Sequence, residues 1–194
     1  TEFPHPNGYY SIPLVMDQQG KARFYPTPFP VQGLVMDHHH LLWAVGNGSL
    51  YRIDTDKQKT IKSDLIGGED LLLPGIITMK STSNGWIGMI GAREFIWFHA
   101  DQQQLKRIRI DQLPGAAYAK SFDNGFDGFS FGADEKVFLF SNEVHLLDLK
   151  TGDAIDLKYD PLVNPDFQRI QYVGQDQDGY IWMSTFVHTG KYQL

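Results

Sequence analysis

Apolar residues in this chain alternate with polar ones or come in bursts of four to six, and turn residues break every burst. Leu50-Tyr51-Arg52-Ile53-Asp54 alternates, as does Leu105-Lys106-Arg107-Ile108-Arg109-Ile110. Val137 to Phe140 and Trp97-Phe98 are rich in aromatic and β-branched residues, which suit a pleated surface. Asn47-Gly48, Asn84-Gly85, Thr151-Gly152-Asp153 and Asp178-Gly179 stand between the bursts as turn signals. Only Asp64 to Leu73 leaves room for a short helical turn. Many short strands with frequent turns predict an all-β sandwich, barrel or propeller.

A repeat narrows that choice. Near the C-terminus, Asp176-Gln177-Asp178-Gly179-Tyr180-Ile181-Trp182 puts an Asp six residues before a Trp. Asp37 and Trp43 are spaced identically. Two further units, Asn84-Gly85-Trp86-Ile87-Gly88 and Asp134-Glu135-Lys136-Val137-Phe138, share the register with altered residues. The Trp-equivalent positions are 43, 88, 138 and 182, at intervals of 45, 50 and 44 residues. A four-stranded propeller blade has a period of roughly 40–50 residues.

The surrounding strands repeat as well. Opening strands are expected over Val31–Met36, Ile76–Ser81, Gly128–Phe131 and Phe167–Val173. Third strands follow the motif at Ser49–Asp54, Glu94–His99, Glu143–Asp148 and Gly190–Leu194. Closing strands are expected at Lys59–Leu65, Leu105–Leu113 and Ala154–Tyr159. Tyr9–Met16 and Lys21–Tyr25 read as a hairpin. The division is therefore 1–30 as the end of a preceding blade, 31–75, 76–125 and 126–166 as blades, and 167–194 as an incomplete one. At about 45 residues per blade the chain holds only ~4.3 blades. It reads as an arc of a larger propeller, with a closed four-bladed ring as the alternative.

Phe167 to Ile170, followed by Asp176-Gln177-Asp178-Gly179-Tyr180-Ile181-Trp182-Met183-Ser184-Thr185, resembles the two-component regulator propeller repeat. The first unit is similar. The second has Gly88 at the Trp position and Trp86 two residues earlier, and the third has Phe138 for Trp and Glu135 for Gly. The resemblance covers about residues 31–194. It implies an extracytoplasmic, periplasmic sensor module of a bacterial receptor, linked in many members to oligosaccharides. It implies as partners the remaining blades and downstream domains of the same receptor. Catalysis would lie in a missing kinase or diguanylate cyclase domain.

Composition trims the alternatives. The net charge of −6 gives no basic footprint for nucleic acid. The absence of cysteine excludes disulfides, thiolate metal sites and a cysteine nucleophile. No apolar run approaches the ~20 residues that span a bilayer, so no membrane contact is expected of this segment. The first thirty residues carry no charged stretch followed by an apolar one, so no secretory leader is read. No Gly-x-Ser-x-Gly elbow or His-Glu-x-x-His helix appears, so no catalytic residue is assigned.

Two features could hold a metal. His38-His39-His40 offers imidazoles, but a strand would point neighbours to opposite faces, and the run reads as a solvated turn. Asp37, Asp176 and Asp178 offer carboxylates, but turn capping explains them and no calcium-loop spacing is present. Neither a metal nor another cofactor is expected.

Propeller ligands gather where second-to-third-strand turns and blade connections meet. That places Asn47, Arg93, Asn142 and His188, with Tyr118 and Lys120 from the longest connection, as candidate ligand-binding residues. The expected function is ligand sensing, with a small molecule or oligosaccharide as partner. The rivals are a lyase- or glycosidase-type propeller enzyme, and a structural propeller whose faces bind other proteins or a second copy of the chain.

Overall fold

A computed structural model describes residues 14–16, 21–24, 27, 29–54, 57, 59–62, 78–91, 93–102, 104–113, 126–141, 143–157, 170–185 and 189–192. Almost all of the regular structure is antiparallel strand. Leu14–Met16 (β1) pairs with Ala22–Phe24 (β2). Gly33–Met36 (β3), Leu42–Gly46 (β4), Ser49–Asp54 (β5) and Lys59–Lys62 (β6) form a four-stranded meander. Thr78–Ser81 (β7), Trp86–Ile90 (β8), Glu94–His99 (β9) and Leu105–Arg109 (β10) form a second. Gly128–Phe131 (β11), Lys136–Phe140 (β12), Val144–Asp148 (β13) and Ala154–Asp156 (β14) form a third. Ile170–Gln175 (β15), Ile181–Thr185 (β16) and Thr189–Tyr192 (β17) make a three-stranded fourth sheet. These are the expected β-propeller blades. The opening strand β11 has the expected bounds, while β10 ends early in a 3-10 turn, Ile110–Gln112. Strand β14 also ends sooner than expected, at Asp156, and β15 runs on to Gln175. Residues 64–73, the candidate helical turn, lie outside the described residues, as does 9–13 of the N-terminal hairpin.

The repeat register is visible in one backbone hydrogen bond. At the turn between first and second strands, the N–H of residues 37, 82, 132 and 176 donates to the C=O four residues on. Six residues beyond each stand positions 43, 88, 138 and 182, so the intervals read from sequence are the structural ones. In blades one and four the aspartate organises this turn identically. Asp37 Oδ1 accepts from the backbone of His39 and Leu41 at 2.8 and 2.9 Å, and Oδ2 accepts from Trp43 Nε1 at 2.7 Å. Asp176 Oδ1 accepts from Asp178 and Tyr180, and Oδ2 accepts from Trp182 Nε1 at 2.7 Å. The Asp–Trp spacing is thus a clasp: one carboxylate closes the turn and fixes the indole on the strand that follows. Blade two keeps half of it, with Thr82 Oγ1 accepting from Trp86 N at 2.9 Å. In blade three, where Gly132 has no side chain, Gln175 of the neighbouring blade reaches across to accept from Ala133 N.

The same turn requires a left-handed residue at its fourth position. Gly85 (φ 95°) and Gly179 (φ 86°) supply it freely, whereas His40 (φ 63°) and Glu135 (φ 60°) supply it under strain.

Each blade buries its faces against the next. Trp43 meets Phe98 of blade two edge-on, with centroids 5.0 Å apart, in a cluster with Val45, Met79, Ile87 and Met89. Phe95, Trp97, Phe129, Val137 and Leu139 fill the second interface. Phe138, Phe140, Ile170, Val173 and Met183 fill the third. On the outer face of blade one, Phe29 stacks on Tyr51 at 4.0 Å, and only a glycine at 46 leaves room, since a Cβ there would lie 2.2 Å from the Phe29 ring. The missing aromatic at Gly88 has a physical reason. A Cβ at 88 would fall 2.8 Å from the Phe129 ring and 2.9 Å from that of Phe95, so these two rings already occupy the wedge.

Polar stitches bind the first strands of successive blades. Ser81 Oγ donates to Met36 O, Lys80 Nζ donates to Phe129 O, and Ser130 Oγ donates to Val173 O. Burial lowers the Lys80 pKa below its ordinary value, and its ammonium lies 5.2 Å from the centroid of the Phe129 ring.

Removing the clasp leaves donors without an acceptor. Asp37→Ala is expected to destabilise the fold by about 1–3 kcal/mol in urea unfolding. Asp176→Ala should cost less, because Trp182 is 38% exposed and Trp43 only 2%. His40→Gly removes the left-handed strain and should raise stability by roughly 1 kcal/mol. A lowered urea midpoint for His40→Gly would refute this account of the turn.

Candidate functional site

Antiparallel meanders send alternate turns to opposite ends of the blades. The end bearing second-to-third-strand turns holds Asn47 and Arg93. Asn47 (φ 48°) and Gly48 (φ 71°) are the two left-handed residues of a tight hairpin turn, so Asn47 is accounted for by backbone geometry. Arg93 is exposed, and its carbonyl accepts from Ile110 N. No hydrogen bond or ion pair joins Asn47 to Arg93 among the described residues. Tyr118, Lys120, Asn142 and His188 lie outside the described residues.

The opposite end is richer. The first turn of blade one places His38 and His39 side by side, ring centroids 3.8 Å apart, and both face blade two. There the turn after β9 presents Asp101, whose Oδ1 lies 2.7 Å from His39 Nε2 and whose Oδ2 lies 3.6 Å from His38 Nε2. His99 joins them, with Nδ1 3.8 Å from Asp101 Oδ2. His99 occupies the strand-end position where blades one and three carry the turn-capping Asp54 and Asp148. It plays the same part, since its Nδ1 accepts from Asp101 N at 3.3 Å. Its Nε2 lies 2.8 Å from the Asn84 carbonyl, a pairing that fixes the tautomer with the proton on Nε2. The hydrogen bond from His39 is the main cause holding the Asp101 carboxyl below its usual range. His40, the third of the run, takes the left-handed backbone position of the turn.

Gly85 underlies this cluster. A Cβ there would lie 2.7 Å from His38 Cε1 and 2.9 Å from His99 Cε1, so the glycine serves both the turn and the close approach of two imidazoles. Sequence reasoning found His38 and His39 but not their partners. Asp101 lies 62 positions from His39, and no local pattern signals the pairing.

Beside the cluster, a cleft of about 450 Å³ opens between the first turns of blades two and three. Asn84, Trp86, Phe131, Asp134, Glu135 and Lys136 line it, among others. Trp86 is buried, and its indole N–H has no hydrogen-bond partner among the described residues. Glu135 pairs with Lys150 at 2.9 Å, which raises the Lys150 pKa. The cleft therefore sets two aromatic side chains beside polar and charged groups.

No known family's sequence profile matches the chain, and no curated protein does. Solved structures resemble it in fold. Virginiamycin B lyase from Staphylococcus aureus shares 16% identity at a TM-score of 0.59, over 93% of this chain and 62% of the lyase. The extracellular domain of a hybrid two component system from B. thetaiotaomicron shares 12% identity at a TM-score of 0.60, over 82% of this chain and 20% of that one. U3-55K shares 8% identity at a TM-score of 0.56, over 87% of this chain and 53% of its own. These likenesses establish the propeller fold, and the chain spans less than two thirds of each of these proteins.

One further histidine is buried. His145 on β13 lies 3.8 Å from Glu143 Oε2 and 4.0 Å from Asp156 Oδ1. Burial pushes its pKa below the ordinary value, against an opposing pull from Asp156. The folded state therefore favours neutral His145. Its stabilising contribution is complete above the unfolded pKa of about 6.5 and is lost as pH falls through the lower folded value. His145→Gln should flatten the acid side of the stability profile as pH falls below about 6.5, read as urea midpoints. An unchanged slope would assign the acid sensitivity to other groups.

Proposed function

We propose that this chain is a ligand-sensing propeller module from the extracytoplasmic region of a bacterial receptor, an arc of a larger propeller, with no catalytic step of its own. The observation that carries the ligand-binding part is the cleft between blades two and three, lined by polar side chains and by Trp86, whose buried indole N–H has no hydrogen-bond partner among the described residues. A buried donor without an acceptor costs stability unless something else accepts from it. Aromatic faces flanked by amide, carboxylate and ammonium groups suit a sugar, which offers C–H faces and hydroxyl acceptors. The solved extracellular domain of a hybrid two component system, similar in fold, supports the setting. No helix among the described residues is long and apolar enough to cross a membrane.

The arc reading rests on the fourth blade. Trp43 packs on the next sheet, and Phe138 does likewise. Trp182, at the equivalent position and with the same aspartate clasp, is 38% exposed, and Tyr172 on that blade is 55% exposed. The face that would receive a following blade is therefore uncovered by the described sheets.

Oligosaccharide panels screened by calorimetry against the purified chain test the function. Asn84→Ala and Trp86→Phe should each weaken a binding sugar about five- to tenfold, near 1 kcal/mol, while leaving the folded spectrum unchanged. Silence across the panels together with turnover of a substrate would replace the sensor reading with an enzymatic one.

A further inference from the structure

We propose that His38, His39 and Asp101 form a binding site for a borderline divalent transition metal ion, of the zinc, nickel or copper kind, clipping blade one to blade two. The donor atoms come from two sheets yet all lie within 4.8 Å of one another. A tetrahedral ion with bonds of 2.0–2.2 Å holds its ligands ~3.3 Å apart. His38 Nε2 and Asp101 Oδ2, at 3.6 Å, are already near that spacing. His39 Nε2 and Asp101 Oδ1, at 2.7 Å, would open by about half an ångström, exchanging their hydrogen bond for two metal bonds.

The chemistry of the donors selects the class of ion. Two imidazoles and one carboxylate suit zinc, nickel or copper, whereas calcium and magnesium require several oxygens. Only one edge of His38 is free to bind. Its Nδ1 is buried without a hydrogen-bond partner among the described residues, and Nε2 is the edge turned to the carboxylate. The surroundings are organised for the purpose. His99 braces the carboxylate's turn, its Nδ1 accepting from Asp101 N and its Nε2 donating to the Asn84 carbonyl. Gly85 provides the space in which the His38 and His99 rings sit.

This inference stands independently of the sensing role, because it concerns another pair of blades and a different ligand. Calorimetric titration of zinc chloride into the full chain, free of any affinity tag, should show one site. Zinc should raise the thermal midpoint, and calcium and magnesium should not. Cobalt(II) should give the visible absorption of a nitrogen- and oxygen-ligated ion. His39→Gln and Asp101→Asn should each weaken zinc at least tenfold and abolish its thermal shift, whereas His40→Asn should leave both intact. If Asp101→Asn proves unfolded by circular dichroism, the exposed His39→Gln carries the same test. Zinc binding no tighter than millimolar, or affinity unmoved by His39→Gln, would overturn the proposal.

Discussion

A twisted four-stranded sheet has two broad faces and cannot bury both by itself. Every feature of this chain answers to that constraint. The second strands Leu42–Gly46 and Trp86–Ile90 are buried along their whole length, because each lies deep in the packing of its blade. The wedge between two sheets must be filled, but its filling is not tied to one position. Trp43 fills it in the first interface, Phe95 with Phe129 in the second, and Phe138 in the third. The Asp–Trp clasp follows from the same demand. An indole pressed into an interface needs a hydrogen-bond acceptor, and the aspartate that already closes the turn supplies it.

The sequence was legible where the physics is local. Left-handed turn residues and strand alternation need only a few neighbouring positions, so blade strands and the register 43, 88, 138 and 182 could be read directly. Even the departures had local meaning: Glu135 stands in the glycine position of its turn and accepts the strain. Legibility failed where two blades cooperate. The glycine at 88 looked like a damaged motif, and its cause is a pair of rings, one of them 41 positions away in the next blade. Likewise, three consecutive histidines on an extended strand would diverge. The turn and its left-handed His40 rotate the first two together, toward a carboxylate from another sheet.

Geometry also decides which end of the blades can do chemistry. The hairpin turns near Asn47 are tight and spend their polar residues on backbone conformation. The first turns, closed by backbone hydrogen bonds from Asp37 to Leu41 and from Thr82 to Trp86, lean on neighbouring blades, so their side chains meet partners distant in sequence. Asn84 sits where these relations converge. Its carbonyl takes the His99 proton on one side, and the residue lines the Trp86 cleft on the other. The histidine cluster and the cleft therefore share one turn, held by Thr82 and by the left-handed Gly85. Any shift of that turn moves both, which follows from a fold whose turns are braced across blades.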